Sequence, residues 1–151
     1  MKNDTNKRIL FVCHGNICRS PMAEFVFKDM VKKAKLEWKF EIASAATSTE
    51  ELGNPVHRGT QAKLREVGIP CERRSARQMT RRDYDYYDII IGMDRYNMRN
   101  MQRITGGDPD GKMRMLLPRD VADPWYTGNF DETYRDVNEG CARLLEELQD
   151  C

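Results

Sequence analysis

One stretch, Ile9-Leu10-Phe11-Val12-Cys13-His14-Gly15-Asn16-Ile17-Cys18-Arg19-Ser20-Pro21, constrains this chain more than any other. Its apolar start makes Arg8 to Val12 a short buried strand. Ala23, Val26, Phe27, Met30 and Val31 then recur at helical spacing. Pro21 falls where a first helical turn tolerates a missing N–H, so a helix is expected from Ser20 to about Lys35. Small and polar residues join the two elements through a tight turn. A chain that passes from buried strand to helix in this way points to an α/β crossover fold.

The remaining pattern repeats that alternation. Trp38 to Ala45 reads as a second strand, Asp88 to Met93 as a third with three consecutive isoleucines, and Met113 to Leu117 as a fourth. Thr47 to Gly59 reads as a loop, punctuated by Gly53-Asn54-Pro55. Helices are expected over Thr60 to Val67, over a short segment capped by Thr80 with Asp83, and over Asp94 to Arg103. Pro118 to Asn129 reads as a long polar loop. Asp131 to Leu148 closes the chain as an amphipathic helix, with Tyr134, Val137, Cys141, Leu144, Leu145 and Leu148 on one side. Strands alternating with helices imply right-handed crossovers and a parallel sheet covered on both faces. Such sheets bind ligands beyond the carboxyl ends of their strands, which is where the loop at Cys13 begins.

That loop has the makings of an anion site. Its successive N–H groups can converge as a nest, and the following helix presents its positive end to the same point. Arg19, six positions after Cys13, adds a planar fork suited to bidentate phosphate contacts. These features, with a Ser20 hydroxyl donating to sulfur, favour a thiolate at Cys13. Gly15 and Asn16 are residue types that tolerate left-handed backbone. Attack of the sulfur on phosphorus gives a phosphocysteine, and the leaving oxygen then needs a proton. Asp123, stiffened by Pro124, is the candidate donor and later the base for water. Trp125 and Tyr126 read either as an aromatic wall for a flat substrate ring or as packing. Arg73, Arg74, Arg77, Arg81 and Arg82 read as a solvated basic face, open to acidic phosphoprotein segments.

Bulk properties exclude other classes. A chain of 151 residues is expected to form one domain, 1–151. A net charge of +1 gives no field for nucleic acid or an anionic membrane, and no apolar run spans a bilayer. The polar start leads straight into a strand, so no secretory signal is read. Five cysteines (Cys13, Cys18, Cys71, Cys141, Cys151), an odd number, argue for a reducing, cytoplasmic setting. No Cys-x-x-Cys pair occurs, and His14 and His57 are the only histidines, which argues against a metal.

On these residues the chain resembles the low-molecular-weight protein tyrosine phosphatases. Val12 to Glu24 looks like that family's active-site loop. Ser44-Ala45-Ala46-Thr47-Ser48, Gly53-Asn54-Pro55, Ala76-Arg77-Gln78, Met93-Asp94 and Asp123-Pro124-Trp125 resemble its later motifs in the same order. The resemblance implies a three-layer α/β sandwich with a four-stranded parallel sheet and flavodoxin-like winding. It implies no metal or organic cofactor. Cys13 would be the nucleophile, Arg19 the clamp and Asp123 the acid, within a phosphate loop of His14, Gly15, Asn16, Ile17, Cys18 and Ser20. Cys18 would also form a reversible disulfide with Cys13. Substrates would be phosphotyrosine proteins, with a cognate tyrosine kinase and a monomer or weak dimer. Ile17 stands where related protein-arginine phosphatases have threonine, and narrows the pocket. Two departures matter: Glu50 replaces an aromatic at the mouth, and Arg74 replaces a histidine that supports the loop. A protein-arginine phosphatase, a thiol-relay arsenate reductase and a non-catalytic phosphotyrosine-binding module are the competing readings.

Overall fold

The computed structural model describes residues 6–149; Cys151 and the first five residues lie outside them. Four strands run β1 (Lys7–Cys13), β2 (Phe40–Ala46), β3 (Ile89–Gly92) and β4 (Met113–Met115). Their order across the sheet is β2-β1-β3-β4, and every neighbouring pair is parallel. Between and after them lie α1 (Arg19–Lys33), α2 (Arg58–Glu66), α3 (Arg81–Tyr86), α4 (Arg95–Thr105), α5 (Pro124–Thr127) and α6 (Phe130–Gln149).

Strand alternation divides β1 between two cores. Ile9, Phe11 and Cys13 face one cluster, which includes Phe25, Phe27 and Val31 of α1 and Val137, Cys141 and Leu144 of α6. The rings of Phe11 and Phe27 meet edge-on at 5.9 Å, and those of Phe27 and Phe40 at 5.5 Å. Leu10 and Val12 face the other cluster, with Tyr84, Ile90, Met101 and Met113. The sheet is therefore covered on both faces, as the alternating pattern requires. The chain leaves β1 for β2 on one side and returns to β3 on the other. That reversal opens a crevice at the carboxyl ends of β1 and β3. Cys13 ends the first of these strands, and Asp94 follows the second.

The structure departs from the sequence expectation in several elements, and α2 starts at Arg58, two residues before the expected Thr60. Glu37 to Lys39 forms a 3-10 turn, so β2 starts at Phe40 rather than Trp38. Among the described residues the ladder with β1 begins at the Lys7–Phe40 pair, and Trp38, in the 3-10 turn before it, is 63% exposed. β4 stops at Met115, two residues before the expected end at Leu117. The long loop after it contains α5, started by Pro124 in its first turn and ended by Gly128 at φ +69°. Asp83 accepts from the Thr80 N–H at 2.8 Å, the cap expected for α3. No helix among the described residues is long and apolar enough to cross a membrane.

Candidate active site

The loop from Cys13 to Arg19 wraps around one sulfur. Cys13 Sγ lies 3.3 Å from the Asn16 N–H nitrogen and 3.4 Å from that of Ser20. Ser20 Oγ is 3.0 Å from the same sulfur. Asn16 turns the loop at φ +60°, a left-handed value that Asn accepts more readily than most residues. Its side-chain nitrogen donates to Ser20 Oγ at 2.8 Å and to Ser44 Oγ at 3.0 Å. Because Ser20 Oγ accepts from Asn16, its own proton is available to the sulfur. The Ser44 hydroxyl in turn donates a hydrogen bond to Glu24 at 2.5 Å. The loop thus presents only donors to Cys13, an arrangement that stabilises an anion there.

Arg19 begins α1 and is 3% exposed. Its Nη1 donates to Asp94 Oδ2 at 2.9 Å and to the Val121 carbonyl at 3.0 Å. Its Nη2 lies 3.4 Å from Asp123 Oδ2. Burial works against the guanidinium's charge. The Cys13 sulfur, Asp123 and Asp94 outweigh it and hold the pKa above the ordinary arginine value. Asp123 caps α5, where its Oδ1 accepts from the Trp125 N–H at 3.0 Å. The other oxygen is left to face Arg19. Cys13, Arg19, Asp123, Glu50, Trp125 and Tyr126 all line one cavity of about 540 Å³. A nucleophile, a fixed cation and a carboxylate on one wall-lined cavity suit displacement at an anionic phosphorus centre.

Known proteins share this plan. Residues 8–151 match the model of the low molecular weight phosphotyrosine protein phosphatase family. The Bacillus subtilis (strain 168) protein-tyrosine-phosphatase YfkJ is 42% identical over 148 residues, covering 93% of this chain and 95% of its own length. A Gallus gallus low molecular weight phosphotyrosine protein phosphatase is 41% identical, covering 93% of this chain and 92% of its own. The crystal structure of YfkJ superposes with a TM-score of 0.92 at 41% identity, covering 96% of each chain. That of SP-PTP from Streptococcus pyogenes gives 0.88 at 43%, covering 94% of this chain and 93% of its own. The chain belongs to the low molecular weight phosphotyrosine protein phosphatase family. It is an enzyme of the hydrolase class.

Within this phosphatase Arg74 takes up the support of the loop. Its Nη1 donates to the Asn16 carbonyl at 3.0 Å, and its Nη2 donates closely to Asn16 Oδ1 and reaches Ser44 Oγ at 3.4 Å. The Arg77 N–H also donates to Asn16 Oδ1, at 3.2 Å. These donors fix which way the Asn16 amide points, so that its NH2 faces Ser20 Oγ and the hydroxyl proton is left for the sulfur. Burial lowers the Arg74 pKa from its usual value, against the pull of Glu24 and Cys13. The basic cluster is thus not a uniform solvated face. Arg73, Arg81 and Arg82 are exposed, but Arg74 holds the loop and Arg77 grips Asp83 with two bonds of 3.1 and 3.2 Å. Replacing Arg74 by Met leaves buried Asn16 oxygens short of donors. It is expected to cost roughly 1–3 kcal/mol of stability by urea titration, together with turnover. Unchanged stability and rate would contradict the support.

The phosphatase's mouth carries the other departure. Glu50 Oε1 lies 3.1 Å from His14 Nε2, in an exposed pair, and Gly15 backs onto the Glu51 side chain. Ile17 is 8% exposed and packs with Cys18 and Ala76 while lining the cavity. Trp125 and Tyr126 are 60% and 84% exposed, so neither belongs to the core. Asp94, Tyr96, Asn97 and Glu51 also line the cavity; of these the sequence marks only Asp94, through the Met93-Asp94 motif of the resemblance, and assigns it no role. Its residue pattern alone reads as a helix start, which it also is, accepting from the Asn97 N–H at 2.7 Å. The signal that finds it is its position just past the most apolar strand, at the same sheet edge as Cys13.

Burial, then the nearby Cys13 and Asp123, push the Cys18 thiol up to about 12. Burial also raises Cys141, which is fully enclosed in the core. Both stay protonated at neutral pH and resist alkylation, since only thiolates react readily. Iodoacetate at neutral pH is therefore expected to label Cys13 well before Cys18 or Cys141, with phosphate slowing the reaction. Peptide mass spectrometry reads this, and early label on Cys18 would contradict it.

Proposed function

We propose that this enzyme hydrolyses phosphotyrosine in proteins in two steps through Cys13. The thiolate attacks phosphorus while the phosphoryl oxygens lie against the loop N–H groups and the Arg19 fork. As the P–O bond breaks, Asp123 gives its proton to the departing tyrosine oxygen. The resulting carboxylate then takes a proton from water, which attacks the phosphocysteine and releases phosphate and the free thiolate. Arg19 and the donors around Cys13 need not move for charge to develop, which is what makes such sites effective. One observation carries this reading: Asp123 Oδ2 sits 3.4 Å from the arginine that begins the helix behind the Cys13 loop.

Substrate length supports tyrosine. The cavity is lined both by Cys13, which is 3% exposed, and by Trp125 and Tyr126, which are 60% and 84% exposed, so it runs inward from the surface to the sulfur. A long flat side chain spans that depth, whereas a phosphoserine brings its backbone against the rim. The branched Ile17 on the wall favours the aromatic ring over phosphoarginine. A thiol relay for arsenate lacks a surface partner in Cys141, which is fully buried in α6. We read residues 1–151 as one catalytic domain, monomeric or weakly dimeric, acting in the cytoplasm opposite a tyrosine kinase. A reversible Cys13–Cys18 disulfide would protect the nucleophile.

Peptides carrying phosphotyrosine, phosphoserine or phosphoarginine test the reading without added metal. Phosphotyrosine is expected to be cleaved fastest, and preference for phosphoarginine would contradict it. Asp123→Ala is expected to lower kcat/KM for phenyl phosphate by about 10²–10⁴-fold, the range for a general acid. The loss should shrink for p-nitrophenyl phosphate, whose phenolate departs without a proton. An equal loss for both would remove Asp123 from the role.

A further inference from the structure

His57 joins three parts of the structure that build the cavity. Its backbone N–H donates to the Ile17 carbonyl of the phosphate loop at 2.9 Å. Its Nδ1 accepts from the Gly59 N–H at 2.9 Å, which caps α2. The ring stacks on Phe130, the first residue of α6, with centroids 5.4 Å apart and planes 21° apart. It meets the Trp125 ring edge-on at 6.2 Å and 79°. Both separations fall in the range of favourable aromatic pairs. Phe130 reaches this position because residue 59 has no side chain: a Cβ there would lie 2.3 Å from the Phe130 ring.

Trp125 is the residue through which this matters. Its backbone N–H donates to Asp123 Oδ1 at 3.0 Å, inside a helix of four residues. One turn of helix has no stability of its own and depends on what packs against it. Trp125 is 60% exposed, so its hold on the protein is limited, and the contact with the imidazole is part of it.

We infer that His57 is a positioning residue for Asp123, its ring buttressing Trp125 so that α5 keeps the carboxyl facing Arg19. The inference rests on the reading of Asp123 as the proton donor. It makes the ring of His57, rather than its helix-capping nitrogen, the feature that matters for leaving-group protonation. The two can be separated. His57→Asn keeps a capping acceptor and loses the ring, whereas His57→Phe keeps a ring and loses the acceptor.

The experiment compares kcat/KM for phenyl phosphate and p-nitrophenyl phosphate in both variants, with Asp123→Ala alongside. A Trp38→Phe background leaves Trp125 as the one tryptophan of the chain. His57→Asn is expected to widen the ratio of the two substrates by about tenfold, part of the roughly 10²–10⁴-fold contribution of a general acid. Acrylamide quenching of Trp125 should rise with it, while His57→Phe keeps both near wild type. Phe130→Leu, which removes the stack from the other side of the ring, should move both readouts in the same direction as His57→Asn. An unchanged ratio in His57→Asn, with a widened one in Asp123→Ala, would overturn the inference and leave the proton donor standing. His57→Phe behaving like His57→Asn would also overturn it. An unchanged ratio in Asp123→Ala itself would overturn the proton-donor reading and this inference with it.

Discussion

Cys13→Ser is expected to lower kcat by on the order of 10⁵–10⁶-fold, the scale lost when a covalent nucleophile is removed. A serine hydroxyl in this loop remains protonated at neutral pH, and nothing within reach is arranged to take its proton. The groups nearest the sulfur are the Asn16 and Ser20 N–H groups and the Ser20 hydroxyl, all placed to give hydrogen bonds. Those donors and Arg19 survive the change, so phosphate binding should survive as well. The measurement is kcat beside the inhibition constant of inorganic phosphate. Collapse of the first with little change in the second is the expected pattern. Residual turnover within a hundredfold of wild type would mean that another group attacks phosphorus.

Arg19→Ala is expected to lose about 10³–10⁵-fold in kcat/KM, as when an arginine that stabilises phosphoryl-transfer charge is removed. Here the loss has two parts. The positive fork facing the phosphate disappears, and the Asp94 and Asp123 carboxylates, paired with it at 2.9 and 3.4 Å, face the incoming dianion alone. Removing one partner of a buried ion pair also destabilises, by about 3–5 kcal/mol. Arg19→Lys restores a charge but cannot serve Asp94, the Val121 carbonyl and Asp123 together, so it should recover stability better than rate. Steady-state kinetics with a urea titration separates the two effects. A lysine variant with full activity would show that charge alone suffices and that the fork is not used.

What the sequence revealed, it revealed through local chemistry. The apolar run at Ile9, the Pro21 helix start and the Cys13-to-Arg19 spacing each act within a few residues, and the strand, loop and helix follow from them directly. The closing helix was legible for the same reason: Val137, Cys141, Leu144 and Leu148 recur on one side and are all buried. Long-range partners were not legible in this way. Asp94 is 75 residues from Arg19, and Arg74 is 58 from Asn16. Nothing in the local pattern of either announces the contact, and Arg74 sits among arginines that do face solvent; only the resemblance marks Arg74's place behind the loop and Met93-Asp94 as a motif. α5 was missed because four residues leave no periodicity, and its cap, Asp123, is chosen by chemistry as much as by folding. A large aromatic before Phe40 looks like strand, yet Trp38 lies in a 3-10 turn that ends at Lys39.

The central claim is that phosphorus passes through a bond to the Cys13 sulfur. Rapid-quench trapping during turnover of a ³²P-labelled aryl phosphate tests it most directly, with acid quench and peptide mapping of the label. The account predicts label on the Cys13 peptide, appearing and decaying fast enough to carry the steady-state rate. Active turnover with no label on Cys13, or with label on another residue, would contradict it.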